Sequence, residues 1–300
     1  MSKLGGVISA LLVSYNSDGS LDEAGTRAIV RYNIDVNKID GLYVGGSTGE
    51  NFLIDTATKK RIFEIVAEEA KGQVALIAQV GGINLLESIE LAKYVKSLNA
   101  YDSLSAVTPF YYKFSFAEIK EYYNKIIEAA DMDMIIYSIP LLTGVNLSLQ
   151  QFEELFANPH IVGVKFTAAD FYLLERLRGA FPNKLIFFGF DELLLPATVY
   201  NVDGAIGSTF NLDAPLAKEV FAKVKAGDIA GARVAQTKLN NFIDQVLANG
   251  LYQTLKESLR LAGVEAAMAV RPPMSQLSAE QKERAVEIYA SLKADLDSLA

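Results

Sequence analysis

Short apolar runs rich in β-branched residues alternate with longer amphipathic stretches about eight times along this chain. The strand-like runs cover residues 6–14, 41–46, 74–81, 103–111, 132–139, 161–167, 185–190 and 204–208. The stretches between them carry helical periodicity, several opening on capping-box spacings: Ser20 with Glu23, Ser115 with Glu118, and Ser148 with Gln151. Strand–helix alternation implies a parallel sheet, and strands apolar on both faces imply burial on both faces. Eight such units within roughly 225 residues predict an α/β fold of the (β/α)8 TIM-barrel kind. An open doubly wound sheet usually carries a Gly-x-Gly-x-x-Gly turn after its first strand, and Tyr15-Asn16-Ser17-Asp18-Gly19 has none.

The alternation stops after the eighth unit. Helical patterns then cover residues 228–249, 251–262 and 278–298, with Arg271-Pro272-Pro273 before the last. This predicts a barrel over residues 1–227 and a three-helix extension over 228–300 packed on it as one structural unit. A length of 300 residues suits one barrel with such an appendage.

Composition narrows the partners. A formal charge of −8, spread along the chain, opposes binding to nucleic acid and to anionic membrane surfaces. With no cysteine, disulfides, thiolate metal sites and cysteine nucleophiles are excluded. The opening Met1-Ser2-Lys3-Leu4-Gly5-Gly6 lacks the apolar stretch and cleavage site of a signal peptide, and the apolar runs are strand-sized. The expected compartment is the cytoplasm.

Active sites of such barrels lie at the C-terminal ends of the strands. There the sixth run, Ile161-Val162-Gly163-Val164-Lys165-Phe166-Thr167, carries a lysine among apolar residues. Strict alternation puts Lys165 and Thr167 on one face with Gly163, and Val162, Val164 and Phe166 on the other. Gly163 would leave room for the lysine inside the barrel. A buried lysine is either paired or lowered in pKa, and the second state is what a Schiff-base nucleophile needs. The alternative is a lysine that ends its strand and snorkels to solvent. On the adjacent strand Tyr137 falls at the same height, either as a proton shuttle whose pKa a cation lowers or as packing.

Other strand ends add polar groups. After the second comes Gly45-Gly46-Ser47-Thr48-Gly49-Glu50, a glycine-rich turn whose N–H groups and hydroxyls could hold a small carboxylate. It lacks the Gly-Lys-Ser/Thr of a nucleotide-binding loop. Asp191 and Glu192 after the seventh run, and Ser208 after the eighth, suit a polyol, although the two acids also suit a helix N-terminus. A divalent metal ranks below both, since neither histidine nor further carboxylates cluster there. His160, the one histidine, precedes the sixth run and falls at the opposite rim. Lys59-Lys60-Arg61 reads as a solvated helix face.

These residues resemble the N-acetylneuraminate lyases, in the wider group that includes dihydrodipicolinate synthases. The resemblance runs from Gly6 into the C-terminal helices. It is carried by the stretch from Gly41 to Glu50, by Ser105-Ala106-Val107-Thr108-Pro109-Phe110-Tyr111-Tyr112, and by Tyr137-Ser138-Ile139-Pro140. Further matches are Val164-Lys165-Phe166-Thr167, Gly189-Phe190-Asp191-Glu192 and Gly204-Ala205-Ile206-Gly207-Ser208-Thr209. The resemblance implies a class I aldolase that reversibly cleaves N-acetylneuraminate to N-acetylmannosamine and pyruvate, needing no metal or organic cofactor. It makes Lys165 the imine-forming lysine and Tyr137 the proton-transferring tyrosine. Ser47 and Thr48 would hold the carboxylate, with Ser47 linking Tyr137 to a Tyr111 supplied by a neighbouring subunit of a homotetramer. Thr167, Gly189, Asp191, Glu192 and Ser208 would contact the hydroxylated tail of the sugar acid.

Dihydrodipicolinate synthases carry an arginine shortly after the Tyr-x-x-Pro motif and lack the Asp-Glu pair. Here Leu141-Leu142-Thr143 follows Pro140, and Asp191-Glu192 is present. Ser138 replaces a common asparagine, and Phe166, Phe190 and Phe210 stand where polar or tyrosyl residues are frequent, which bears on substrate preference. Another pyruvate-dependent aldolase or a dihydrodipicolinate synthase is the nearest alternative. A noncatalytic sensor of sialic-acid-like ligands is the alternative of a different class, and it would not need Lys165, Tyr137, Ser47 and Thr48 together.

Overall fold

The computed structural model describes residues 4–299; the reading of Met1, Ser2 and Lys3 as leaderless lies outside them. Eight parallel strands close into a barrel in chain order. They are β1 (Gly6–Ala10), β2 (Gly41–Val44), β3 (Ala75–Gln79), β4 (Ser103–Val107), β5 (Met134–Ser138), β6 (Ile161–Phe166), β7 (Leu185–Phe188) and β8 (Gly204–Gly207). The (β/α)8 architecture is therefore as the alternation predicts.

Every strand is shorter than its apolar run. Most of the surplus residues continue past the strand at the C-terminal mouth, where several are buried and side chains replace the sheet ladder. Leu12, for example, is fully buried beyond β1 and donates its N–H to Asn211 Oδ1 at 3.2 Å. A hydrophobic pattern reports burial and does not separate a strand from a buried strand exit.

Two apolar layers hold the barrel. Ile8, Tyr43, Ile77, Ile135, Phe187 and Ile206 belong to an inner cluster filling the barrel, while a larger one lies between strands and helices. Beyond β8 come the helices Phe210–Lys225, Ile229–Asn249, Leu251–Leu261 and Ala279–Asp297. Among the described residues no helix is long and apolar enough to cross a membrane.

The capping boxes at Ser115 and Ser148 are present, and a third stands at Ser278 with Gln281. The one expected at Ser20 is not formed. Asp22 caps helix Glu23–Asp35 by accepting from Gly25 N at 3.0 Å, while Ser20 bonds back to Asp18 in a local turn. Lys59-Lys60-Arg61 is also not simply a solvated face. Lys59 is buried with its amine 2.7 Å from Glu87, Lys60 reaches Glu90, and Arg61 reaches Glu23. The run thus ties helix Thr56–Ala70 to the helices on both sides.

β6 also departs from strict alternation. Met134 pairs with Ile161 but Ile135 pairs with Gly163, so Val162 is an extra residue in the ladder and packs toward the inner cluster. The reason for Gly163 changes accordingly. A Cβ there would lie 2.4 Å from the carbonyl oxygen of Leu185, so the glycine admits β7 rather than making room for Lys165. Gly163→Ala is expected to lower stability by about 1–3 kcal/mol through overpacking. A urea midpoint equal to that of the unsubstituted protein would show that β7 yields freely.

Candidate active site

The register β5–β6 sets Tyr137 beside Lys165, and β6–β7 sets Lys165 beside Phe187. Both side chains point into the barrel mouth. The Lys165 amine lies 4.0 Å from the centre of the Tyr137 ring and 4.5 Å from that of Tyr43. The two rings meet edge to face at 5.9 Å. Burial drives the Lys165 pKa down from 10.5 to about 7, against the pull of the Asp191 carboxylate, which favours the cation. The snorkelling alternative fails on this geometry, because the residue is 5 % exposed.

A neutral amine is nucleophilic and an ammonium is not. Carbonyl modification at Lys165, located by peptide mapping, is expected to rise with pH to half its maximum near pH 7. A midpoint near 10 would mean that the amine is solvated.

Tyr137 differs from expectation in one respect. Burial raises its hydroxyl pKa, and a hydrogen bond with Ser47 only partly offsets that, so the phenol keeps its proton. The nearby lysine does not offset this rise, because its own pKa of about 7 leaves it uncharged at the pH where a phenol titrates.

Ser47 and Thr48 lie in the 3-10 turn Ser47–Gly49 directly after β2. Gly45 enters the turn at φ +81°, and a Cβ there would stand 2.7 Å from the Gln79 carbonyl oxygen. The Thr48 hydroxyl is 2.7 Å from that of Ser208, so the turn and the end of β8 share one hydrogen bond.

Asp191 is held from one side. Its Oδ2 accepts from the Thr209 N–H at 3.2 Å and from the Thr209 hydroxyl at 2.9 Å, so it does not cap the following helix. Burial raises this carboxyl to about 6, with the Thr209 hydrogen bonds opposing the rise. Its Oδ1 and the Thr167 hydroxyl are buried without a protein hydrogen-bond partner. Glycines create the space they occupy: a Cβ on Gly207 would be 1.9 Å from Asp191 Oδ1, and one on Gly189 would be 2.0 Å from Thr167 Oγ1. Unpaired buried polar atoms cost about 1–3 kcal/mol each, so this wall suits a ligand rich in hydroxyls.

Ser47, Thr48, Tyr137, Lys165, Thr167, Gly189, Asp191, Glu192 and Ser208 all line one cavity of about 240 Å³. Tyr111 does not. It is 82 % exposed, left-handed at φ +76°, with its ring against Tyr112 at 5.1 Å. His160 sits at the opposite rim, 3.2 Å from Asp133. Among the described residues no three or more His, Cys, Asp or Glu side chains group as metal ligands. Sequence reasoning missed Ile243, Leu247, Leu251 and Tyr252, which wall the cavity from the C-terminal helices. They come from two successive helices, Ile243 and Leu247 from one and Leu251 and Tyr252 from the next, and apolar helical spacing reads the same whether it covers a core or a site.

With a buried amine of lowered pKa beside a tyrosine at the barrel mouth, and with relatives that are lyases, the chain is a carbon–carbon lyase of the aldolase type. The sequence profile of the Dihydrodipicolinate synthetase family matches residues 3–292, and this chain belongs to that family. An N-acetylneuraminate lyase of Actinobacillus pleuropneumoniae serotype 5b is 58 % identical over 290 residues, 97 % of this chain and 99 % of the relative. The structure of CdNal from Clostridium difficile, in complex with mannosamine, superposes with a TM-score of 0.94 at 58 % identity, covering 96 % and 99 % of the two chains. N-acetylneuraminate lyase from Fusobacterium nucleatum, complexed with pyruvate, gives 0.93 at 58 % identity over 97 % and 98 %.

Proposed function

We propose that this chain is a class I aldolase that reversibly cleaves N-acetylneuraminate to N-acetylmannosamine and pyruvate. The observation that carries the reading is the Lys165 amine, buried, shifted to about 7 and set against Tyr137. The relatives named N-acetylneuraminate lyase support it, as does the solved pyruvate complex.

Lys165 adds to the C2 ketone of the open-chain sugar acid, and loss of water leaves a protonated imine between the amine and the substrate. The imine accepts the electron pair of the C3–C4 bond as that bond breaks. The C4 hydroxyl proton passes to the Tyr137 oxygen while the phenol proton moves on toward the substrate carboxylate. N-acetylmannosamine leaves as the aldehyde. The remaining enamine takes a proton at C3, and hydrolysis releases pyruvate and the free amine. Because the imine is the electron sink, this chemistry calls for no metal or organic cofactor.

Ser47 and Thr48 hold the carboxylate, and Thr167, Gly189, Asp191, Glu192 and Ser208 receive the hydroxylated tail. In this reading Tyr111 enters the site of a neighbouring subunit in a homotetramer, which its exposure on its own chain supports. Residues 228–300 act as an extension of the 1–227 barrel, supported by the C-terminal side chains that wall the cavity. The partners are small molecules, and the compartment is the cytoplasm. Leu142 lines the cavity where a dicarboxylic acceptor would need a cation.

The test is a coupled assay with N-acetylneuraminate against one with pyruvate plus aspartate semialdehyde. Pyruvate release from the sugar acid is expected, with little turnover of the semialdehyde. The reverse preference would reassign the chain to dihydrodipicolinate synthesis, and ligand binding without turnover in folded protein would favour a sensor.

A further inference from the structure

Glu50 closes the turn that carries Ser47 and Thr48, and it does so in the left-handed region at φ +61°. Its carboxylate lies behind the turn, fully enclosed. Oε1 accepts from Lys256 Nζ at 2.5 Å and Oε2 from the Arg271 N–H at 2.6 Å. Lys256 is equally enclosed and also donates to the Ala269 carbonyl at 2.8 Å. The amine stands 4.9 Å from the centre of the Tyr15 ring, whose hydroxyl donates to the Gly49 carbonyl at 2.8 Å. Three bonds thus reach the back of one short turn, and two of them come from the C-terminal extension.

A buried ion pair adds little stability compared with apolar residues of the same volume, but its directed bonds hold their groups in one arrangement. Helix Leu251–Leu261 carries both halves of a device: Tyr252 faces the cavity, and Lys256, four residues later, grips the turn. We propose that the Lys256/Glu50 pair is a positioning element that sets the angle of the Ser47 and Thr48 hydroxyls and so tunes affinity for the carboxylate of a 2-keto acid. This rests on the reading that those hydroxyls bind that carboxylate.

The test titrates the full chain with pyruvate and traps the imine with borohydride, scoring half-saturating pyruvate, the plateau of adduct on Lys165, and the melting temperature. Lys256→Met leaves the Glu50 carboxyl group buried without its partner, which opposes folding. Glu50→Gln/Lys256→Met removes both charges and keeps the test open. The expected result is half-saturation raised about tenfold or more, with the plateau unchanged. Half-saturation equal to that of the unsubstituted protein, with only a lower melting temperature, would overturn the proposal. A lower plateau at unchanged half-saturation would also overturn it, placing the effect on Lys165. Failure of the unsubstituted protein to form any adduct would instead remove the functional reading, and this inference with it.

Discussion

Lys165→Ala is expected to abolish the borohydride-trapped pyruvyl adduct and to lower turnover by on the order of 10⁴–10⁶, as when a covalent nucleophile is removed elsewhere. The structure identifies why no other lysine should substitute. Among the described residues the two other buried lysines are paired with carboxylates, Lys59 with Glu87 at 2.7 Å and Lys256 with Glu50 at 2.5 Å. Lys165 faces aromatic rings, and burial outweighs the one carboxylate that attracts it. The same feature predicts a stability effect of opposite sign to the loss of activity. A lysine at about 7 when folded and near 10.5 when unfolded binds more protons in the unfolded chain between those values. Its contribution therefore becomes less unfavourable as pH rises from 7 toward 10.5. At pH 7 it disfavours folding by an upper bound of roughly 4 kcal/mol, from about three units at 1.36 kcal/mol each. Lys165→Met, which fills the volume without the charge, should raise the urea midpoint while removing activity. A variant that is inactive and also less stable would mean that the amine serves packing more than chemistry.

The barrel was legible because its cause is periodic. Burial on both faces makes each strand an unbroken apolar run, and helices between the runs force parallel connections. Lys165 and Tyr137 were legible because a charged or phenolic group inside such a run is conspicuous. What was not legible has no periodic signature. The extra residue Val162 in β6 breaks the alternation by one position, and only the partner strand reveals it. Asp191 looked equally suited to a helix cap, and the choice is decided by Thr209, which the barrel brings to it from beyond β8. The Lys256/Glu50 pair joins positions 206 residues apart. Ile243 and Leu247, one turn apart on helix Ile229–Asn249, belong to an apolar stripe, and local sequence does not distinguish a stripe that faces a core from one that faces a cavity.

Tyr137→Phe is expected to lower kcat by about 10²–10⁴, the usual range for a lost proton-transfer group, while half-saturating pyruvate changes little. The substitution keeps the ring, so the 4.0 Å contact with the Lys165 amine and the edge-to-face contact with Tyr43 persist. Only the hydroxyl and its bond with Ser47 are removed. Because burial holds that hydroxyl protonated, it does not act as a free phenolate base. In the proposed mechanism it relays: it takes the C4 proton only as its own proton departs toward the carboxylate. The variant should therefore still form the pyruvate imine that borohydride traps, and should stall at cleavage of the C3–C4 bond. If the substitution weakened pyruvate and slowed turnover equally, the hydroxyl would be acting in uniform binding and not in the transition state. If imine formation itself were lost, Tyr137 would be needed to dehydrate the first adduct, one step before the C3–C4 bond breaks.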